Sequence, residues 1–584
     1  MPGPSTTRLV VAATLVLGTA IGAVVSLVPS ARDATLLGSR LAGPKAPAGA
    51  AAAASGGHAP WISEENAKPG TTAWQLSGPP TKREIEGFAD ATSATDGETV
   101  RLYVSTAAAT YGVEAYRLGW YGGKQGRLVW KSPTMTGLLQ APAIVDRRTN
   151  MAEAPWAPTL DVVIDRSWTP GNYLFKLVAD TGHMQYVPLT IRDDRSRAAL
   201  LVVNAVTTWQ AYNTWGGHSL YEGVGASGSG PTGRSQVVSF DRPYNNDSGA
   251  GDYLGNELAF ISMVEREAYD VTYWTDIDLH HRGNLLVNHK AIVTLGHDEY
   301  WTLEMRANAE AARDRGTNLV FLGANAVYRS IRLEPSALGP LRREVNYRVA
   351  RDDPMNGVDN ARVTVSWREP PVNRPESALV GTYYQCNPVK ADMVVADPTA
   401  WVFAGTGLAA GDKLLGLVGP EFDRYDINAP DPPGPVQVLT HSPLRCKGEA
   451  SYSDMTYYST ASGAGVFATG TNWWVSRLNK LCQPGEPCFE ENVDRITRNV
   501  LDAFAAGPAG VAHPSVANYD RLPGNVGVTT STRRGATTSS TPTPSTTALP
   551  STTTTTGPPT SVRIARPPTS FPTLPTTRFP APPP

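Results

Sequence analysis

The chain reads as an N-terminal antiparallel β-sandwich followed by a doubly wound α/β domain. Three observations predict this. Between Pro60 and Asp194, short alternating apolar runs are separated by turn signals, the pattern of half-buried antiparallel strands. From Ala198 the strand runs become apolar throughout and alternate with helical segments, as in a parallel sheet covered on both faces. After about Pro523 the composition turns Ser/Thr/Pro-rich and offers nothing to pack into a core.

In chain order, Arg8 precedes an uncharged stretch from Leu9 to Val28, the layout of a secretory signal and also of a membrane anchor. Residues 1–31 are therefore read as signal peptide or anchor, and the chain as exported, extracellular or held at the cell membrane. Residues 32–59, rich in Ala, Gly and Pro, read as a flexible linker. The β-sandwich, Ig-like, is placed at 60–195. Its runs include Ile85-Glu-Gly-Phe-Ala, Thr99-Val-Arg-Leu-Tyr-Val and Tyr186-Val-Pro-Leu-Thr-Ile, with Asp96-Gly97 and Gly122-Gly123 as turns. Tyr116-Arg-Leu-Gly-Trp-Tyr could stack sugars or pack between domains.

The α/β domain is placed at 196–515. Ala199 to Val206 reads as a buried strand, and Thr207 to His218 as a polar, aromatic loop leaving its carboxyl end. A Gly/Ser/Asn-rich loop from Tyr221 to Asp252 follows, read as site cover or as disorder. Leu254 to Ala268 is expected as a helix, Tyr269 to Thr275 as a strand and Asp276-Ile-Asp-Leu as a turn. Next come a short helical piece at Leu285–Lys290, the strand opening at Ala291, a helix capped by Thr302 and the strand from Asn318. Val493 to Ala506 is an amphipathic helix with Val493, Ile496, Val500 and Leu501 on one face. Residues 524–584 read as a disordered tail.

Charge excludes one class of partner. With 51 basic and 53 acidic residues the net charge is −2, which leaves no electrostatic case for nucleic acid. The 14 Trp and 22 Tyr suit β-rich packing or a binding cleft. The four cysteines are even in number, as in an exported chain: Cys482 and Cys488 suit a local disulfide, leaving Cys386 with Cys446. A zinc site is the competing reading, although no Cys-x-x-Cys spacing exists.

The densest chemistry lies at Gly296-His-Asp-Glu-Tyr-Trp301. In open α/β sheets ligands bind at the carboxyl edge, where this turn falls. His297, Asp298 and Glu299 are the candidate catalytic residues, with Asp298 orienting His297 as acid/base. Trp209, Tyr212, Asn213, Asp276 and Asn325, from neighbouring strand ends, are the candidate substrate-binding residues. The plainer alternative is that His297 and Asp298 only satisfy backbone groups in a turn.

Glu86-Gly-Phe-Ala, Tyr116-Arg-Leu-Gly-Trp-Tyr-Gly-Gly, Thr208-Trp-Gln-Ala-Tyr-Asn-Thr-Trp-Gly-Gly, Gly296-His-Asp-Glu-Tyr-Trp, Gly323-Ala-Asn and Asn373-Arg-Pro-Glu recur in one order. As a set, across roughly residues 80–505, they resemble the family related to the large (β) subunit of N,N-dimethylformamidase. The resemblance implies a domain similar to class I glutamine amidotransferases, that is, flavodoxin-like. Those enzymes carry a cysteine in the turn where this chain has His297. It further implies one iron held by two tyrosines and a glutamate, hydrolysis of a simple amide, and a small partner subunit. Tyr300 and Tyr253 match the two tyrosines. The stretch expected to hold the glutamate, Asn360 to Ser366, has no carboxylate, and Glu376 or Asp298 would have to substitute.

Two functions follow. One is an exported metal-dependent hydrolase of a linear C–N amide bond, using Tyr253 and Tyr300 for iron. The other is a non-catalytic cell-envelope protein that binds carbohydrate or a partner on a degenerate amidotransferase-like scaffold, favoured by the missing glutamate.

Overall fold

The computed structural model describes residues 57–79, 83–225, 228–481 and 489–522. The expected signal or anchor, most of the linker, the Ser/Thr/Pro tail and the Cys482–Cys488 pair lie outside these residues. Among the described residues no helix is long and apolar enough to cross a membrane. The architecture is mixed α/β with many sheets.

Pro60–Asn66 is a helix rather than part of the β region, with Pro60 at its first position, where the absent N–H costs nothing. Two sheets follow. One is three-stranded, with Ile85–Ala89 and Leu160–Val163 flanking Thr99–Thr106. The other is six-stranded, built around the antiparallel pairs of Gly171–Ala179 with Thr110–Leu118 and with Met184–Ile191. Leu102 and Val104 of the first share a core with Val113, Phe175 and Leu189 of the second.

The central sheet has seven strands: β1 (Leu200–Asn204), β2 (Val271–Thr275), β3 (Ala291–Gly296), β4 (Asn318–Gly323), β5 (Val436–Cys446), β6 (Glu449–Ser459) and β7 (Gly465–Ala468). Their spatial order is β2-β1-β3-β4-β7-β6-β5. The first five in that order pair in parallel, whereas β6 runs antiparallel to both neighbours. Each parallel strand is apolar on both sides because both sides are covered. Leu200, Val202, Val293 and Val320 pack with Phe260 and Val264 of helix Leu258–Arg266 and with Ile496 and Val500 of helix Glu491–Ala506. Leu201, Val203, Ile292 and Phe321 pack with Met305 and Ala309 of helix Leu303–Arg313.

Thr302 caps that last helix, its hydroxyl accepting from the Met305 amide at 3.1 Å. Asp276–His281, expected as a turn, is a helix, because Thr275 and Asp278 form a capping box at its start. The helix expected from Leu254 is broken at Glu257, whose backbone (φ −132°, ψ −40°) leaves helical geometry. Its carboxylate instead accepts from the Asn204 side chain at 2.5 Å and from the Ala205 amide at 3.0 Å.

The two-sheet region is joined to the α/β region by a buried ion pair. Arg117 and Glu265 meet at 2.6 Å with both side chains wholly out of solvent. Glu265 also accepts from Tyr273 (2.7 Å) and Asn66 (2.9 Å), so its lone pairs are filled. One disulfide is formed among the described residues, Cys386–Cys446.

Candidate active site at the strand ends

β3 ends at Gly296, whose φ of +64° suits glycine. Its neighbour in β4, Gly323, has no room for a side chain: a Cβ there would fall 1.2 Å from the Gly296 oxygen. The close approach brings the ends of β3 and β4 together and releases residues 297–300 over the sheet's carboxyl edge.

Four consecutive side chains then diverge. His297 is partly exposed and lies between two carboxylates, with Nε2 4.0 Å from Asp252 Oδ2 and Nδ1 3.9 Å from Glu421 Oε2. Burial pushes the Asp252 carboxyl up from its ordinary range, and His297 opposes that shift. Glu421 is held by Asn387, which donates to Oε1 at 2.8 Å, and by Asn472, which donates to Oε2 at 3.2 Å. Asn472 in turn accepts from the Ala324 amide at the end of β4 (2.9 Å).

Asp298 points the other way. It is fully buried, neither oxygen has a hydrogen-bond partner, and burial, with Asp276 nearby, holds its carboxyl well above the usual range. No contact joins it to His297 among the described residues. The carboxylates that flank His297 are those of Asp252 and Glu421, not Asp298. Asp276 is buried as well, accepting from the Thr207 amide and hydroxyl (3.1 and 2.6 Å) and pushed up to about 7 by burial.

Glu299 is the centre of the site. Its amide donates to the Thr208 hydroxyl (3.0 Å), and its carbonyl accepts from the Arg329 amide (2.9 Å), which fixes the backbone on both sides. Two tyrosines converge on its carboxylate: Tyr212 and Tyr221 donate to the same oxygen, Oε2, at 2.9 and 2.7 Å. Their rings stack with centres 4.2 Å apart, and Tyr212 lies 5.1 Å from the His297 ring. Burial, then the Glu299 charge, hold both phenols well above their ordinary pKa. As the chain stands, both therefore keep their protons.

Tyr300 packs edge-on against both rings, and its hydroxyl accepts from Arg348 Nη2 at 2.8 Å. Tyr253 keeps other company. It packs against Trp209 and lines a small cavity toward the two-sheet region with Phe88, Asn172 and Tyr244. Tyr253 and Tyr300 thus have separate neighbours, and the expected Tyr253/Tyr300 pair is not brought together on one point.

The other expected residues divide similarly. Trp209 is buried, with its indole N–H on Glu257 (3.1 Å). Asn213 is occupied within its loop, donating to Gln210 and to the Pro243 carbonyl. Asn325, in a left-handed conformation with φ of +58°, gives its amide to Asp423 (2.8 Å), whose carboxyl burial pushes up to about 7. Glu376, a proposed stand-in for the missing glutamate, is engaged by Arg368 and the Tyr384 amide.

Among the described residues no three of His, Cys, Asp and Glu are placed to hold a metal. The set that fits an iron instead contains phenols: Tyr212, Tyr221 and Glu299 offer three hard oxygen donors at one point. A ferric ion there would replace the two phenolic protons now shared with the carboxylate. Glu299 is thus a carboxylate that meets two tyrosines, which the stretch Asn360 to Ser366 could not supply. Tyr221, Asp252, Glu421, Arg329 and Arg348 complete the site and were not singled out from sequence.

Comparison with known proteins accords with the motifs. The N,N-dimethylformamidase beta subunits of Paracoccus aminophilus and an Alcaligenes species are 27% and 26% identical to this chain over 293 and 296 residues, 43% of it in each case. The match spans only 37% of each relative's length. Solved structures resemble it weakly. An uncharacterized Bacillus anthracis protein gives a TM-score of 0.12 at 13% identity, covering 18% of this chain and 84% of that one. A Paenibacillus cycloisomaltooligosaccharide glucanotransferase gives 0.15 at 7%, covering 53% and 61%, and neither carries an argument. The family model described as N,N-dimethylformamidase beta subunit-like, C-terminal, matches residues 112–488, more than half of the 584, so the chain belongs to that family.

Proposed function

We propose that the chain is a metal-dependent hydrolase of a C–N bond in a linear amide, with iron held by Tyr212, Tyr221 and Glu299. The observation that carries this reading is the meeting of two tyrosine hydroxyls on one Glu299 oxygen beside His297. When bound, iron supplies Lewis-acid polarisation and a more acidic water. The chain's own residues do the rest. His297 accepts a proton from the attacking water as the O–C bond forms, and returns it to the amine nitrogen as the C–N bond breaks. Asp252 and Glu421 orient the ring from either edge and stabilise it while protonated. Arg329, 3.5 Å from Glu299, and Arg348, bonded to Tyr300, make this side of the site electropositive.

The strand order β2-β1-β3-β4 supports the flavodoxin-like, glutamine amidotransferase-like reading of the domain. The Cys386–Cys446 disulfide supports export, by signal peptide or membrane anchor. The relatives are named beta subunits, which supports a partner subunit. On this reading Glu299 supplies the carboxylate whose absence favoured the degenerate-site alternative.

Iron per chain, measured on protein purified with ferric iron, tests the site together with the tyrosinate-to-iron absorption band. One iron per chain, absent from a Tyr212→Phe/Tyr221→Phe double variant, is the expected result. A chain that binds none, or a double variant that keeps it, overturns the reading.

A further inference from the structure

The Glu299 side of the site gathers three guanidinium groups around few carboxylates. Arg329 Nε lies 3.5 Å from Glu299 Oε1. Arg348 donates to Tyr300, and its guanidinium carbon is 4.1 Å from the centre of the Tyr221 ring. Arg234 donates to the Tyr347 carbonyl at 2.9 Å. Burial first, then the charges of Arg348 and Arg329, lower the Arg234 pKa, so the three guanidinium groups sit in one another's field. Among the described residues the one carboxylate within ion-pair distance of any of the three is Glu299. On the proposed function that carboxylate belongs to the metal, because two phenolates and one carboxylate balance a trivalent ion and leave nothing over. Glu344, the other nearby acid, is wholly buried with neither oxygen hydrogen-bonded. Burial, then Asp276, push its carboxyl well above its ordinary range, which weakens it as a counter-charge.

Two donors are also unused. The Nε–H groups of Arg329 and Arg348 are buried and have no hydrogen-bond partner. A buried cation without a counter-ion and a buried N–H without an acceptor each destabilise the folded chain, and one bound anion relieves both. Guanidinium forks match a planar carboxylate, and Arg329 is further fixed by lying 4.6 Å over the Tyr328 ring.

We infer that the substrate carries a carboxylate close to its scissile amide, seated on Arg329 and Arg348 while the amide faces His297. This rests on the amide-hydrolase reading and narrows it from simple amides to N-acyl amino acids and related anionic amides.

The test titrates N-formylglycine and its neutral counterpart N-formylglycinamide into the iron-loaded protein by calorimetry, and follows hydrolysis of each separately. The acid should bind about tenfold tighter or more, the worth of one charge-assisted hydrogen bond. That advantage should shrink as salt is raised and disappear in Arg348→Gln. Should that variant fail to fold, Arg329→Lys, which keeps the charge but loses the fork, should reduce the preference. Equal or weaker binding of the acid, or no binding of it, overturns the inference whatever the turnover. Tighter binding of the acid with hydrolysis of neither compound keeps the carboxylate seat and sinks the hydrolase reading instead.

Discussion

Glu421 Oε2 lies 3.9 Å from His297 Nδ1, a ring nitrogen that is buried and has no hydrogen-bond partner. His297→Ala should lower kcat by about 10²–10⁴-fold with the iron content unchanged. Glu421→Gln keeps the acceptor for Asn387 but loses the charge, and should lower kcat by roughly tenfold with little change in KM. Parallel kinetics and metal analysis of the two variants check both, and a loss of iron in either would move the fault to the metal set.

The Tyr221 hydroxyl donates to a carboxylate that accepts from two phenols. In metal-free protein Tyr221→Phe removes one charge-assisted hydrogen bond and should destabilise the chain by about 1–3 kcal/mol. Adding ferric iron should raise the urea midpoint of the parent chain and leave the Tyr212→Phe/Tyr221→Phe variant unmoved. Urea melts with and without iron separate the two effects.

Glu265→Ala leaves the Arg117 guanidinium buried without its counter-ion. The expected cost is about 3–5 kcal/mol. Because the pair joins the two-sheet region to the α/β region, the unfolding transition should also lose cooperativity, readable as a change in m-value.

Glu257 is wholly buried, and burial pushes its carboxyl up to about 8, against the opposing bonds from Asn204 and Ala205. Its folded pKa is above its unfolded one, so the folded chain binds the extra proton. That stability is fully present below the unfolded pKa and is lost as pH rises toward 8, a fall of several kcal/mol. Asp276 and Asp423, each pushed up to about 7, act in the same direction. Glu257→Gln should flatten the stability profile between pH 5 and 8 while leaving the acid end unchanged, checked by thermal melts across that range.

Much of this was legible in the residues. Unbroken apolar runs such as Ala291–Leu295 announce a strand covered on both faces, and Thr302 marks where the following helix begins. The turn at His297 was readable because so many titratable groups in succession exceed what a turn needs. What the pattern could not show was where each would point. Asp298, Glu299 and Tyr300 go to a buried acid pair, a tyrosine pair and an arginine, and consecutive positions give no sign of that. Tyr221 lies in a glycine- and serine-rich stretch with no periodicity, and Glu421 follows a loop far along the chain, so only the folded backbone brings either to His297 and Glu299.

Cys386 precedes Asn387, the residue that grips Glu421, and its bridge to Cys446 pins that short segment to the end of β5. The covalent tie thus reaches Glu421 through a single amide side chain. On the proposed function, a chain matured where thiols stay reduced would keep its tyrosine–glutamate set but hold the carboxylate beside His297 from the Asn472 side alone. Oxidation would then tune the partner of the proposed base as well as the durability of the fold.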